Sequence, residues 1–249
     1  MVRLGADRVM AQLRGEEKVR YVEAMFARIA RRYDVMNTLM TGGMHHGWKG
    51  LTARLAAEGQ QGRALDIASG TGDLAFALAR QPGIRQAVGL DLVPEMVRLA
   101  QYKARRDGLS VRTAFLVGDA LDLPFPTGAF VCVTSGFSLR NVADYRRMFA
   151  ETHRVLAPGG RIALLETTPL PPRGLRPALI RFYQRQVIPL MGAIFARDRE
   201  AYTYLPTTSE AFAPPAAVAA ALREAGFGDV RWRLAGFGTV AIHTGVKPA

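Results

Sequence analysis

Ala64-Leu65-Asp66-Ile67-Ala68 runs into Ser69-Gly70-Thr71-Gly72 and then into Asp73-Leu74-Ala75-Phe76-Ala77-Leu78-Ala79-Arg80. A short, mostly apolar run ending at a glycine turn predicts a buried strand, and the alanine-rich stretch after it predicts a helix. The alternation continues downstream. Residues 86–91 read as a second strand, and Pro94 opens a helix that runs to about Arg106. Residues 113–117 and 130–134 read as the third and fourth strands. Residues 143–156 read as a helix stopped by Pro158-Gly159-Gly160, and residues 161–166 as a fifth strand. This rhythm predicts an α/β fold with a doubly wound, mostly parallel sheet. The tail differs: residues 230–234 and 239–243, around Gly236-Phe237-Gly238, predict an antiparallel hairpin that brings the sheet to seven strands.

Outside this core, residues 17–58 predict helix with a break at Thr41-Gly42-Gly43, and residues 174–205 predict helix interrupted at Pro189. We expect a single domain over residues 1–249. It divides into a helical N-terminal cover (1–63), a cofactor-binding core (64–166), a second helical cover over the substrate (167–215), and a C-terminal helix with the hairpin (216–249). Helices so placed would close the crevice at the carboxyl ends of the strands, where open α/β sheets bind ligands.

Composition removes other classes. A chain of 249 residues with 49% apolar content can bury a sizeable core, and 22% charged residues is the globular norm rather than a disordered one. The single Cys132 excludes an internal disulfide, and no Cys/His spacing suits a zinc finger. No apolar run is long enough to span a bilayer, and Met1-Val2-Arg3-Leu4-Gly5-Ala6-Asp7 lacks the apolar stretch of a signal peptide, so a cytoplasmic protein is expected. The net charge of +12 is spread along the chain, and most of its basic residues are Arg. A solvated Arg-rich surface accounts for it, with weak attraction to an anionic membrane face as a second use. No appended basic module supports a nucleic-acid partner, and dimerisation is left open.

Gly70-Thr71-Gly72-Asp73-Leu74-Ala75 matches G-x-G-x-x-A, and Asp91 ends the next strand 19 residues beyond Gly72. Taken alone, this is the fingerprint of a dinucleotide site. The charges point elsewhere. Asp66 and Asp73 flank the loop, and carboxylates beside a pyrophosphate repel it, whereas the sulfonium and ammonium of S-adenosylmethionine welcome them. Gly118-Asp119-Ala120 follows the third strand at the same sheet edge. There Asp119 can accept from an adenine amine while Ala120 leaves room for the ring. Asp66, Gly70, Gly72, Asp91 and Asp119 are therefore candidate cofactor residues.

Longer blocks now resemble a known family. Tyr33-Asp34-Val35-Met36-Asn37 through His45-His46-Gly47-Trp48, and Arg154-Val155-Leu156-Ala157-Pro158 through Glu166-Thr167-Thr168, resemble two signatures of the demethylmenaquinone and ubiquinone-biosynthesis C-methyltransferases. Arg181-Phe182-Tyr183, the stretch from Asp198 to Pro206 and the ending around His243 resemble further blocks of it. The resemblance implies a class I, Rossmann-like methyltransferase that uses S-adenosylmethionine, with cofactor contacts from Thr71, Asp91, Asp119 and Ala120. The family's serine at the end of the fourth strand falls at Gly136 here, so its hydrogen bond is expected to be missing or moved to Ser135. Val131 and Ser138 also depart from the pattern, and all three changes are expected close to the substrate.

The implied reaction is C-methylation of a prenylated hydroquinone, demethylmenaquinol or the related benzoquinol, with another aromatic or polyketide-like small molecule as the alternative. Methyl transfer from a sulfonium is an in-line displacement that needs alignment and no metal. A phenol with a pKa of about 10 needs help to ionise and enrich the ring carbon. Arg140 stays protonated, so it is a candidate stabiliser of the phenolate, oriented by Asn141. Tyr33, His45, Tyr202 and Tyr204 are candidate substrate contacts. His153 and His243 read as structural. Residues 187–196 form an apolar run between Arg185 and Arg197 that suits a tail tunnel, a membrane contact or a helix buried on the sheet.

Overall fold

The computed structural model describes residues 15–249, so the start of the expected N-terminal cover, residues 1–14, lies outside the described residues. The chain opens with α1 (Gly15–Thr41) and α2 (Met44–Ala57), parted where the glycines at 42 and 43 predict. Then follow β1 (Gly62–Ile67), α3 (Asp73–Ala79), β2 (Ile84–Asp91), α4 (Pro94–Arg106), β3 (Thr113–Val117), β4 (Phe130–Gly136), α5 (Tyr145–Val155) and β5 (Leu156–Thr167). The sheet order is β3-β2-β1-β4-β5-β7-β6, with β6 (Gly228–Ala235) and β7 (Val240–Val246) as the hairpin. The first five strands run parallel, and β7 is antiparallel to both neighbours. The order reverses between β1 and β4, which opens a crevice at their carboxyl ends.

Alternation along the strands sorts two unequal faces. Leu65, Ile67, Val88, Leu90, Val133 and Leu164 bury against Met148 and Phe149 of α5 and Leu222 of α9 (Pro215–Glu224). The other face carries Ala64, Ala87, Cys132 and Ala163, and meets Ala53 and Ala56 of α2 and Leu74 and Leu78 of α3. Small strand residues let α2 and α3 approach closely, which brings the glycine turn down onto the sheet. Burial pushes the Cys132 thiol up to about 12, so it is an inert packing group.

β5 starts earlier than the sequence predicts. The expected helix stop at 158–160 is already strand, because Gly159 N donates to Lys247 O (2.9 Å) and Lys247 N to Gly160 O (2.8 Å). The second cover also departs from expectation. Pro189 lies in α7 (Ile188–Met191), inside a helical run that continues unbroken from Leu175 to Ala196. Widened π turns at Tyr183–Val187 and Gly192–Ala196 flank α7. The break falls later, at Arg197 (φ 56°), and Asp198 then caps α8 (Arg199–Ala211) by accepting from Ala201 N. Residues 187–196 are two-faced: Ile188 and Ala196 are buried, while Leu190, Ile194 and Phe195 are exposed.

The two covers pack on each other. Met25, Ile29 and Met36 of α1 bury with Ile188, Tyr202 and Tyr204. Arg28 Nε donates to Asp198 (2.9 Å), Arg32 to Ala196 O (2.9 Å), and Tyr183 OH to Met40 O (3.0 Å). No helix of the described residues is long and apolar enough to cross a membrane.

Candidate functional site

A cavity of about 840 Å³, part of it open to solvent, lies at the carboxyl ends of β1 to β4. Its floor is Ala68, Gly70, Leu90, Asp91, Gly118, Asp119, Ala120 and Gly136, and its roof is Val19, Val22, Glu23, Phe26 and Tyr33 of α1. Leu92, Met96 and Leu121 make an apolar side wall. Ala68 (φ 54°) and Phe137 (φ 58°) follow β1 and β4 in left-handed conformations costly for residues with a Cβ. Both line the cavity, where such strain commonly serves a site.

Asp91 organises the floor. One carboxylate oxygen accepts from Gly70 N (2.7 Å), the other from Val93 N (2.9 Å), so the end of β2 holds the glycine turn. Burial raises its pKa against the pull of those amides. Asp119 lines the cavity and accepts from Leu121 N (2.9 Å) through one carboxylate oxygen. Among the described residues that line the cavity there are three carboxylates, Glu23, Asp91 and Asp119, and no Lys, Arg or His.

The departures from the family pattern fall in different places. A Cβ at Gly136 would sit 2.6 Å from Leu74 Cδ1, so Leu74 fills the room a serine would need. Ser135 is not a substitute at the cavity surface: it is buried, and its hydroxyl donates to Ile67 O (2.6 Å). Ser138, 2.6 Å from Ser135 Oγ, therefore donates to Ser135 and is left as an acceptor on the cavity wall. Val131 is a correction. It lies at the opening of β4, packed on Gly62 at the end of the sheet away from the cavity, so it is not near a substrate.

The loop carboxylates are also placed differently from expectation. Asp66 is 1% exposed and points beneath the turn, accepting from Ala75 N (3.1 Å) and Thr134 Oγ1 (2.8 Å). Gly72, the N-cap of α3, has no side chain to satisfy the first amides, and Asp66 caps the helix from the strand below. Burial pushes its carboxyl up to about 7. A folded-state value above the unfolded one stabilises below the ordinary carboxylate range, and that contribution is lost as pH rises through about 7. We predict that Asp66→Asn flattens this part of the stability profile. Chemical denaturation at pH values from about 5 to 8 should show the gap between mutant and wild type changing with pH; a constant gap would mean that Asp66 stays ionised.

Asp73 faces away from the cavity. Lys49 Nζ (2.8 Å) and Lys103 Nζ (2.6 Å) each hold one of its oxygens. Burial raises the Asp73 pKa, but the two ammoniums outweigh it and hold the carboxyl well below the usual range. Thr71 turns the same way, donating to Asp34 (2.5 Å). At Gly72 (φ 90°) a Cβ would lie 2.9 Å from the Phe115 ring, so only glycine keeps the turn against the sheet. The carboxylates that line the cavity are thus Glu23, Asp91 and Asp119, and not Asp66 and Asp73.

His45 lies on α2, outside the cavity lining. Thr41 Oγ1 donates to Asn37 O (2.7 Å), so it must accept from His45 Nδ1 (2.9 Å), which leaves Nε2 with the lone pair. Nε2 is buried without a partner, and burial, reinforced by Lys49 and His46, lowers the pKa to about 4. Ligand atoms of His45, His46 and Asp73 lie within 4.8 Å of one another. Both Asp73 oxygens already accept from ammoniums, so the trio is not a set of free ligands.

Arg140 sits directly behind the cavity wall formed by Phe137 and Asn141. Its Nη1 donates to Glu166 (2.5 Å) and to Phe137 O (2.8 Å), and its Nε is buried with no acceptor. Asn141 donates to Phe137 O (3.2 Å) and accepts from Tyr204 OH (3.1 Å), so α8 reaches the wall through that tyrosine. Tyr33 roofs the cavity against Phe26, whereas Tyr202 is buried between the covers. His243 is packed in β7, its Nε2 3.0 Å from Pro215 O, and His153 packs on Phe227, both as structural residues. Sequence reasoning did not single out Glu23, Phe26, Met96, Lys103 or Glu166; Lys103 and Glu166 take their partners from distant segments.

Comparisons with known proteins agree with this architecture. A model of the ubiE/COQ5 methyltransferase family matches residues 12–247. A demethylmenaquinone methyltransferase of Roseiflexus castenholzii is 44% identical, over 93% of this chain and 95% of its own length. A ubiquinone/menaquinone biosynthesis C-methyltransferase of Dinoroseobacter shibae is 39% identical, over 94% of each chain. Among solved structures, the [4+2]-cyclase SpnF superposes with a TM-score of 0.66 at 21% identity, covering 92% of this chain and 95% of that one, which speaks for the fold alone. Seven strands in this order, an acid at the end of β2 that grips the glycine turn, and a match over nearly the whole length have one common explanation: the chain belongs to the ubiE/COQ5 methyltransferase family.

Proposed function

We propose that this chain, acting as one methyltransferase domain, moves a methyl group from S-adenosylmethionine to a ring carbon of a prenylated hydroquinone, demethylmenaquinol first. The observation that carries it is the cavity lined, among the described residues, by three carboxylates and no cation. Such a lining repels a pyrophosphate and suits a sulfonium with an ammonium. Asp91 suits a ribose diol. Asp119 suits an adenine amine, with Ala120 beside it and the Met96 and Leu121 walls for the ring. When bound, the cofactor supplies an electrophilic methyl carbon. The protein excludes water with the α1 roof and holds the quinol against the wall at Asn141. Arg140, fixed by Glu166 and by Phe137 O behind that wall, supplies positive charge that stabilises the phenolate, which enriches the ring carbon.

The prenyl tail needs an apolar path. Leu175, Leu179 and Phe182 form an exposed stripe on α6 (Leu175–Phe182), joined by Phe237 of the hairpin, over whose ring Arg176 lies 5.1 Å away. Arg173 and Arg181 are on the same segment. An apolar stripe among arginines matches an anionic bilayer surface, and in this reading it rests there while the tail enters.

The test is transfer of labelled methyl to demethylmenaquinols of long and short tail, with a benzoquinol and a non-quinol aromatic alongside. Label in the naphthoquinol is expected, and label only in the non-quinol compound would transfer the activity to the alternative substrate class. With vesicle-borne long-tail substrate, Leu179→Asp with Phe182→Asp should lower turnover at least about tenfold, and a soluble short-tail quinol should be unaffected. Equal loss on both substrates would count against the membrane role of the stripe.

A further inference from the structure

We infer that Lys103 is a positioning residue that ties the α1 roof to the glycine turn, so that enclosing the cavity and ordering the cofactor loop become one event. The inference rests on the proposed use of S-adenosylmethionine at the cavity. An ammonium has three N–H donors, and Lys103 directs them to three elements: Asp34 of α1 (2.7 Å), Thr71 of the turn (3.2 Å) and Asp73 at the start of α3 (2.6 Å). The remaining groups close a ring. Thr71 donates to the second oxygen of Asp34 (2.5 Å), and Lys49 of α2 donates to the second oxygen of Asp73 (2.8 Å). Two carboxylates and two ammoniums balance within the cluster, and the Lys103 ammonium also lies over the Phe76 ring at 5.6 Å.

The geometry explains how this cluster reaches a cavity that it does not line. Thr71 and Asp34 each adjoin a cavity residue in the chain. Gly70 donates to Asp91, and Tyr33 lies over Gly70, its ring 4.0 Å from the position of a Cβ there. One side of the turn therefore faces the ligand space, and the other is held to the roof by Lys103. An arginine spreads its donors in one plane and so does not reproduce the tripod of an ammonium.

The test uses the full chain with Lys103→Met, which keeps the stem and removes the donors, and Lys103→Arg, which keeps the charge. S-adenosylmethionine binding is measured by calorimetry without quinol, kcat and KM by methyl transfer, and closure by cofactor-induced hydrogen-exchange protection of residues 15–41. Lys103→Met should raise Kd and KM for the cofactor about thirtyfold, with kcat at saturation within about threefold, and lose the protection that wild type shows. Lys103→Arg should fall between and serves alone if the methionine variant does not fold. Wild-type Kd and protection in the variant that folds would overturn the tie, as would a loss of kcat with Kd unchanged. A wild type that binds no S-adenosylmethionine removes the functional reading and this inference with it; a wild type and a Lys103 variant that bind alike remove only the inference.

Discussion

Arg140→Met together with Glu166→Gln is expected to give a protein that folds and binds cofactor yet transfers methyl at least about a hundredfold more slowly. The pair is buried, with Glu166 1% exposed and also accepting from Thr167 N (2.7 Å) and Thr167 Oγ1 (3.1 Å). Removing Arg140 alone strands that carboxylate, which costs about 3–5 kcal/mol, so a single Arg140→Ala confuses misfolding with lost chemistry. Replacing both partners by neutral groups of similar size is close to neutral for stability. Urea denaturation of the single and double variants, beside kcat for each, separates the two effects. A double variant with wild-type kcat would show that the phenolate is stabilised elsewhere.

The second large effect belongs to Asp91. Asp91→Ala leaves the Gly70 and Val93 amides without acceptors and removes the group that suits the ribose; affinity for S-adenosylmethionine should fall at least about a hundredfold, counting the two charge-assisted bonds proposed to the ribose diol at about 1.5–3 kcal/mol each. Asp91→Asn retains one acceptor oxygen and should lose less. Calorimetric titration of both variants orders them. The reverse order, or equal affinities near wild type, would mean that Asp91 serves only the turn.

What was legible in the sequence was local. The bounds of α4 follow from Pro94 at its start, and the spacing from Gly72 to Asp91 follows from one strand–turn–helix–strand unit. Asp91 therefore appears where its spacing places it. What was illegible depends on partners far along the chain. Asp66 looks like a ligand until Thr134, 68 residues on, and Ala75 claim it. Asp73 looks exposed to the ligand until Lys49 and Lys103 neutralise it. Arg140 gains its meaning from Glu166, 26 residues later, and no periodicity links the two. Pro189 misled for a different reason. A proline marks an interruption only when the helix cannot widen around it, and here it can.

The mutual packing of the two helical covers has a consequence for how the protein is made. Arg28 meets Asp198 across 170 residues of chain, and Tyr183 meets Met40 across 143. A ribosome releases α1 first and α8 late, so the roof of the cavity waits, its apolar face uncovered, while the whole parallel sheet is synthesised. Contacts of such long range form slowly and leave apolar surface open to aggregation in the interval. The nascent chain is therefore most vulnerable before residue 200 emerges, and co-translational chaperone demand should concentrate on α1 in that window.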